Sequence, residues 1–211
     1  MAETNTIDVE AIMDKAVCAA AVFSEFNQAQ TDRIVRAVFE AGFNHRVRLA
    51  KMAAEETGIG CWEHKVLKNV VATHLVYENI KNQKTVGIIS EDEEQGIVEI
   101  AQPLGPIFAV IPVTNPTSTV LFKILIAMKT RNPIIIRPHS SAVKCCDETA
   151  RICYEAALKA DAPEDCIQWV SNTSREQTHA LMQHKKMALI LATGGGSLVS
   201  AAYSSGTPAI G

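Results

Sequence analysis

The stretch Ile107-Phe108-Ala109-Val110-Ile111-Pro112-Val113-Thr114-Asn115-Pro116-Thr117-Ser118 sets the class of fold. Its apolar start predicts a strand over Ile107 to Val113. Pro116 suits the first position of a helix, because its missing N–H would have had no partner there anyway. That helix is expected to run to Lys129.

Downstream the same alternation repeats. Strands are expected over Pro133 to Arg137, Cys166 to Val170 and Met187 to Ala192, with helices over Ser141 to Ala160, Ser174 to His184 and Gly196 to Tyr203. Ala209 and Ile210 begin a further strand. Repeated βα units with wholly apolar strands predict an α/β fold with a Rossmann-like, doubly wound parallel sheet, here incomplete.

Upstream the period is helical. Val9, Ile12, Met13, Ala16, Val17 and Ala20 recur on one face, with Thr6 as the expected N-cap. A second helix is expected from about Thr31, with Ile34, Val35, Val38 and Phe39 inward, and a third over Arg46 to Thr57, closed by Gly58. A fourth is expected over Glu63 to Asn82, with Leu67, Val70, Val71, His74 and Leu75 as its apolar stripe. Val86 to Ile89 and Ile97 to Ile100 flank the acidic run Glu91 to Gly96 and predict an antiparallel β-hairpin. The division falls near residue 105. Residues 1–105 form a helical region plus hairpin, and residues 106–211 a partial nucleotide-binding domain.

Length and charge narrow the function classes. The chain has 211 residues, 47% hydrophobic and 20% charged, with a net charge of -3. That composition suits a buried core and gives nucleic acid no basic stripe. Acidic residues interrupt the N-terminal apolar pattern, so no signal peptide is read, and no apolar run is long enough for a bilayer. A cytoplasmic protein with no membrane partner is expected. The six cysteines, Cys18, Cys61, Cys145, Cys146, Cys153 and Cys166, show neither a CxxC pair nor metal-ligand spacing, and all six are read as packing residues.

In a doubly wound sheet, ligands sit beyond the carboxyl ends of the strands. Two loops fit: Ile111 to Ser118, and Thr193-Gly194-Gly195-Gly196-Ser197. Glycines let a backbone approach a ligand closely, although a permissive turn explains them equally well. Asn115 falls at a helix N-cap. Its amide either caps the helix or donates to a developing oxyanion, and pattern leaves both open. Arg137 ends an Ile-rich strand, where it contacts a ribose or phosphate or stays solvated. His139 is a base or a polar loop residue, and His74 a core or edge histidine.

The run Pro112-Val113-Thr114-Asn115-Pro116-Thr117-Ser118-Thr119 resembles the Asn-Pro loop of the aldehyde dehydrogenase superfamily, in the form of its CoA-acylating branch. Glu55-Glu56-Thr57-Gly58-Ile59-Gly60, Lys129-Thr130-Arg131-Asn132-Pro133, Leu191-Ala192-Thr193-Gly194-Gly195 and Ala202-Tyr203-Ser204-Ser205-Gly206 are similar to the N-terminal half of bifunctional aldehyde–alcohol dehydrogenases. The likeness implies NAD as cofactor, a small aldehyde and coenzyme A as substrates, and a homo-oligomer joined through the hairpin. It implies that Asn115 stabilises the oxyanion, and that Val110, Ile111, Pro112, Val113, Thr114, Arg137, His139, Thr193, Gly194, Gly195 and Gly196 line the cofactor. Arg137 falls where the superfamily has a ribose-contacting lysine, and Ser140 where many members have a ribose-binding glutamate. Gly195 replaces the serine of a Gly-Ser turn. The catalytic cysteine is expected beyond the position of Gly211, so the chain alone is expected not to turn over aldehyde. Two other readings compete: a non-catalytic nucleotide-binding or assembly module, and an aldehyde dehydrogenase that hydrolyses its thioester.

Overall fold

The computed structural model describes residues 7–171 and 173–211. Three helices open the chain: α1 (Val9–Ser24), α2 (Gln28–Asn44) and α3 (Arg46–Thr57). Then come α4 (Trp62–Val70), one π-helical turn (Val71–Leu75) and α5 (Val76–Ile80). The hairpin pairs β1 (Gly87–Asp92) with β2 (Ile97–Ala101). Beyond it the chain alternates through β3 (Ile107–Val110), α6 (Pro116–Lys129), β4 (Ile134–Arg137), α7 (Val143–Lys159), β5 (Ile167–Trp169), α8 (Arg175–Met182), β6 (Leu189–Ala192), α9 (Gly196–Tyr203) and β7 (Ala209–Ile210).

The main sheet is five-stranded and parallel, in the order β5-β4-β3-β6-β7. Successive strand residues face opposite sides of it. Ile107, Ala109, Ile134 and Ile136 join one core with α2, α6 and α7. Phe108, Val110, Ile135 and Ile190 join another with Met13 and Ala16 of α1, Leu181 and Met182 of α8, and Ala202 of α9. The front helices thus cover both faces of the sheet, and its core runs across residue 105.

Several starts and ends differ from the sequence reading. Thr6 lies outside the described residues; Asp8 caps α1, its carboxylate accepting the Ala11 N–H at 3.1 Å. α2 begins earlier than Thr31, because Asn27 and Gln30 form a capping box. β3 ends at Val110. α3 closes on Gly58 as expected, at φ 64°.

The fourth helix corrects the sequence reading most. Its expected stripe faces outward: Leu67, Val71, His74 and Leu75 are exposed and Val70 half-buried. Lys65, Asn69, Ala72 and Thr73 face inward instead. Hydrogen bonds satisfy those polar groups. The Asn69 amide donates to Arg46 O at 2.9 Å and accepts from Thr117 Oγ1 at 3.0 Å, and Thr73 Oγ1 donates to Asn69 O at 2.6 Å.

Two of the quoted motifs hold the scaffold together. The Glu56 carboxylate accepts the N–H groups of Lys144 (2.8 Å) and Cys145 (2.7 Å), capping an α7 that lacks a side-chain cap of its own. Asn132 Oδ1 accepts from Leu104 N and Gly105 N, which fixes the chain's entry into β3. Among the described residues no helix is long and apolar enough to cross a membrane.

Candidate functional site

The chain leaves β3 for β4 and β5 on one side, then returns to β6 and β7 on the other. The carboxyl ends of β3 and β6 therefore flank the topological switch point, where such sheets open a crevice. A cleft of about 790 Å³ lies there. Of the expected residues, Val110, Ile111, Pro112, Val113, Thr114, Arg137, His139, Thr193, Gly194 and Gly195 line it. Gly196, the first residue of α9, does not, nor does the exposed Ser140. The turns around Thr114 and Gly195 meet over one sheet edge, and Thr193 N donates to Val110 O at 3.3 Å.

Beneath the cleft Lys123 ties the two strands together. Its Nζ donates to Val110 O at 2.8 Å and to Leu191 O at 2.7 Å. Burial pushes its pKa down to about 7. Two acceptors match the two N–H bonds of a neutral amine; an ammonium would keep one proton unpartnered.

Asn115 is the N-cap residue of α6, yet its side chain makes no capping bond. Instead Oδ1 accepts from Lys68 Nζ at 2.7 Å, and Nδ2 lies 3.4 Å from Thr114 Oγ1. An ammonium only donates, so the amide oxygen must face Lys68 and the NH₂ faces away from it. Lys65 Nζ donates to Thr114 O at 3.0 Å. Burial lowers the Lys65 pKa, and neighbouring Lys68 lowers it further. Asn115 opens onto a separate small cleft of about 150 Å³, with Thr114, Lys65, Lys68, His64 and Cys61.

The sequence reading missed the wall that α8 supplies: Arg175, Thr178, His179 and Met182 line the large cleft. Their spacing, i, i+3, i+4 and i+7, was the available signal. α9 adds Ser197, Leu198 and Ala201. Gly195 caps α9 without a side chain, so the first N–H groups of that helix have no side-chain acceptor.

Four cysteines, Cys145, Cys146, Cys153 and Cys166, are buried as expected. Burial pushes Cys153 and Cys166 up to about 12, and a hydrogen bond with Cys145 together with burial raises Cys146, so these thiols are poor nucleophiles. Cys18 and Cys61 depart from the packing reading, because both are exposed. Cys18 lies on the outer face of α1, and Cys61 in the turn before α4, where it lines the small cleft. His74 is an edge residue, its ring 5.8 Å from that of Phe43.

Switch-point cleft, glycine turn and uncapped helix starts together define a doubly wound α/β protein with an open cleft at the ends of β3 and β6. The chain belongs to the aldehyde dehydrogenase family, whose model matches residues 1–208. It is 46% identical over 211 residues to the bifunctional aldehyde-alcohol dehydrogenase of Escherichia coli (strain K12), covering 100% of this chain and 24% of that protein. An acetylating aldehyde dehydrogenase from Geobacillus thermoglucosidasius superposes with a TM-score of 0.94 at 49% identity, over 96% of this chain and 45% of the other. A propionaldehyde dehydrogenase from Rhodopseudomonas palustris, solved with bound propionyl-CoA, gives a TM-score of 0.83 at 28% identity, over 99% of this chain and 46% of the other. The chain thus spans about a quarter of the E. coli relative and under half of the two solved dehydrogenases.

Proposed function

We propose that these residues form the nucleotide-binding part of a CoA-acylating, NAD-dependent aldehyde dehydrogenase. Such an enzyme converts a small aldehyde, coenzyme A and NAD to acyl-CoA and NADH through a cysteine thioester. One observation carries the reading: the Asn115 amide is pulled off the helix end it would otherwise cap, and its oxygen is pinned by Lys68, beside a cleft shaped by two switch-point turns.

Bound NAD would supply the hydride acceptor. Val110 to Thr114 and the Thr193–Gly195 turn would hold it, with the N-terminus of α9 towards its phosphates. The fit rests on the turn itself, since a Cβ built on Gly195 or Gly196 meets nothing within 4 Å, which leaves the backbone open to a close ligand. The Asn115 NH₂ would donate to the oxygen of the tetrahedral adduct, where negative charge develops. The exposed apolar residues of the hairpin, Ile88, Ile97, Val98 and Ile100 among them, suit a surface covered in a homo-oligomer.

Calorimetric titration of the chain with NAD and with coenzyme A tests the reading. Both are expected to bind and to compete, and Gly195→Leu to weaken both. Failure of either to bind at millimolar concentration refutes it.

A further inference from the structure

The small cleft at the start of α4 holds an amine that the acylating-dehydrogenase reading does not use. Lys65 lines that cleft and is only 5% exposed. Its Nζ has one acceptor, Thr114 O at 3.0 Å. Among the described residues no carboxylate lines the cleft, and neither Lys65 nor Lys68 is ion-paired. A cation taken out of water without a counter-charge gives up its proton more readily. Burial lowers the Lys65 pKa first and the Lys68 charge second, against smaller opposing effects of Cys145 and Cys61. A lysine that is desolvated beside another cation is in the state that attacks carbonyl groups.

The surroundings fit such an attack. The cleft, about 150 Å³, is several times the roughly 30 Å³ that a water occupies in the liquid, which leaves room for a small aldehyde. Ile59, Gly60, Cys61, His64 and Lys68 at its rim are exposed, so it opens to solvent. Lys68 uses one N–H on Asn115 Oδ1 and keeps two for an oxygen that gains negative charge. His64 adds an imidazole to accept and return protons.

We propose that Lys65 is a nucleophile that captures small aldehydes reversibly as an imine. The amine lone pair attacks the carbonyl carbon, and the C=O π pair moves to the oxygen. That oxygen takes a proton from the nitrogen to give a carbinolamine. It then leaves as water with the second N–H proton, and the nitrogen lone pair closes the C=N bond. The choice of an aldehyde as ligand rests on the acylating reading above; the amine and its cleft do not.

The test treats the chain with acetaldehyde and sodium cyanoborohydride, which reduces an imine to a stable secondary amine. Ethylation is then followed lysine by lysine by peptide mass spectrometry. Lys65 is expected to react about tenfold or more faster than the exposed Lys84, Lys144 and Lys159, a barrier lower by about 1.4 kcal/mol. In urea that lead is expected to vanish, because it comes from the folded cleft. Cys61→Ser, a change at an exposed side chain, is expected to leave it intact. Lys65 reacting at the pace of the exposed lysines overturns the inference, as does a lead that persists in urea or one that disappears with Cys61→Ser. These outcomes leave NAD and coenzyme A binding untouched. Conversely, a chain that binds neither ligand while Lys65 still leads refutes the acylating reading alone.

Discussion

Replacing Lys123 with methionine is expected to flatten the pH dependence of this protein's stability. The native pKa is about 7 against an ordinary value of 10.5, because burial disfavours the charged form. Below about pH 7 both states carry the proton, and the native state bears the whole penalty, about 5 kcal/mol at roughly 1.36 kcal/mol per pH unit. Between the two values the unfolded chain holds a proton that the native chain lacks, so stability rises with pH. Above the ordinary value the penalty is gone. From pH 7 to pH 9 the expected gain is about 2 kcal/mol. Urea unfolding followed by circular dichroism at those two pH values, on both proteins, measures it. Methionine keeps the stem and loses the bonds to Val110 O and Leu191 O, which offsets the whole curve without tilting it. The other titrating groups are common to both proteins and cancel in the comparison. If the two proteins gain equally from pH 7 to pH 9, the buried amine is not what titrates, and the reasoning fails.

In an enzyme carrying these residues together with the family's catalytic cysteine, Asn115→Ala is expected to lower turnover roughly 10²- to 10³-fold. Lys68→Met should lower it by less and Lys68→Arg restore most of it; steady-state kinetics showing no change for Asn115→Ala would remove the amide from the chemistry. Glu56→Ala strips the acceptor from two N–H groups of α7 and should destabilise the chain by about 1.5–3 kcal/mol, read as a lower urea midpoint, so an unmoved midpoint would mean that solvent caps the helix equally well. Gly42→Ala places a Cβ 2.6 Å from Leu121 Cδ2 and 3.3 Å from Thr73 Cγ2, so the buried Leu121 side chain or the α2–α6 crossing must shift. Overpacking should then lower stability by about 1–3 kcal/mol, and a raised melting temperature would show that the crossing is looser than these distances.

Backbone-driven features were legible in the sequence. Pro116, the isoleucine strand and Gly58 act through missing N–H groups, period and a positive φ, and their elements lie within a few residues of expectation. α6, α9 and β7 match to the residue. So does the meeting of the Thr114 and Gly195 turns, because strand order follows from the alternation and a switch point follows from strand order. Features that depend on one side chain reaching a distant partner were hidden. Nothing local to Ser141–Val143 says that α7 is capped from Glu56, 88 residues away from Lys144.

The fourth helix shows why periodicity misleads when a buried face is polar. Hydrophobicity assigns a face by transfer energy, which assumes that buried polar groups go unpaired. Lys65, Asn69 and Thr73 break that assumption, each finding a carbonyl or hydroxyl on α3, the loop before α6, α6 or their own helix. Once they are satisfied inside, Leu67, Val71 and Leu75 must face out, since a helix cannot turn both stripes inward. The same inversion brings Lys68 to Asn115. An inward leucine stripe would have carried both lysines away from the Asn-Pro loop and left the Asn115 amide free to cap α6. The orientation of that amide is therefore a consequence of which face of α4 is buried.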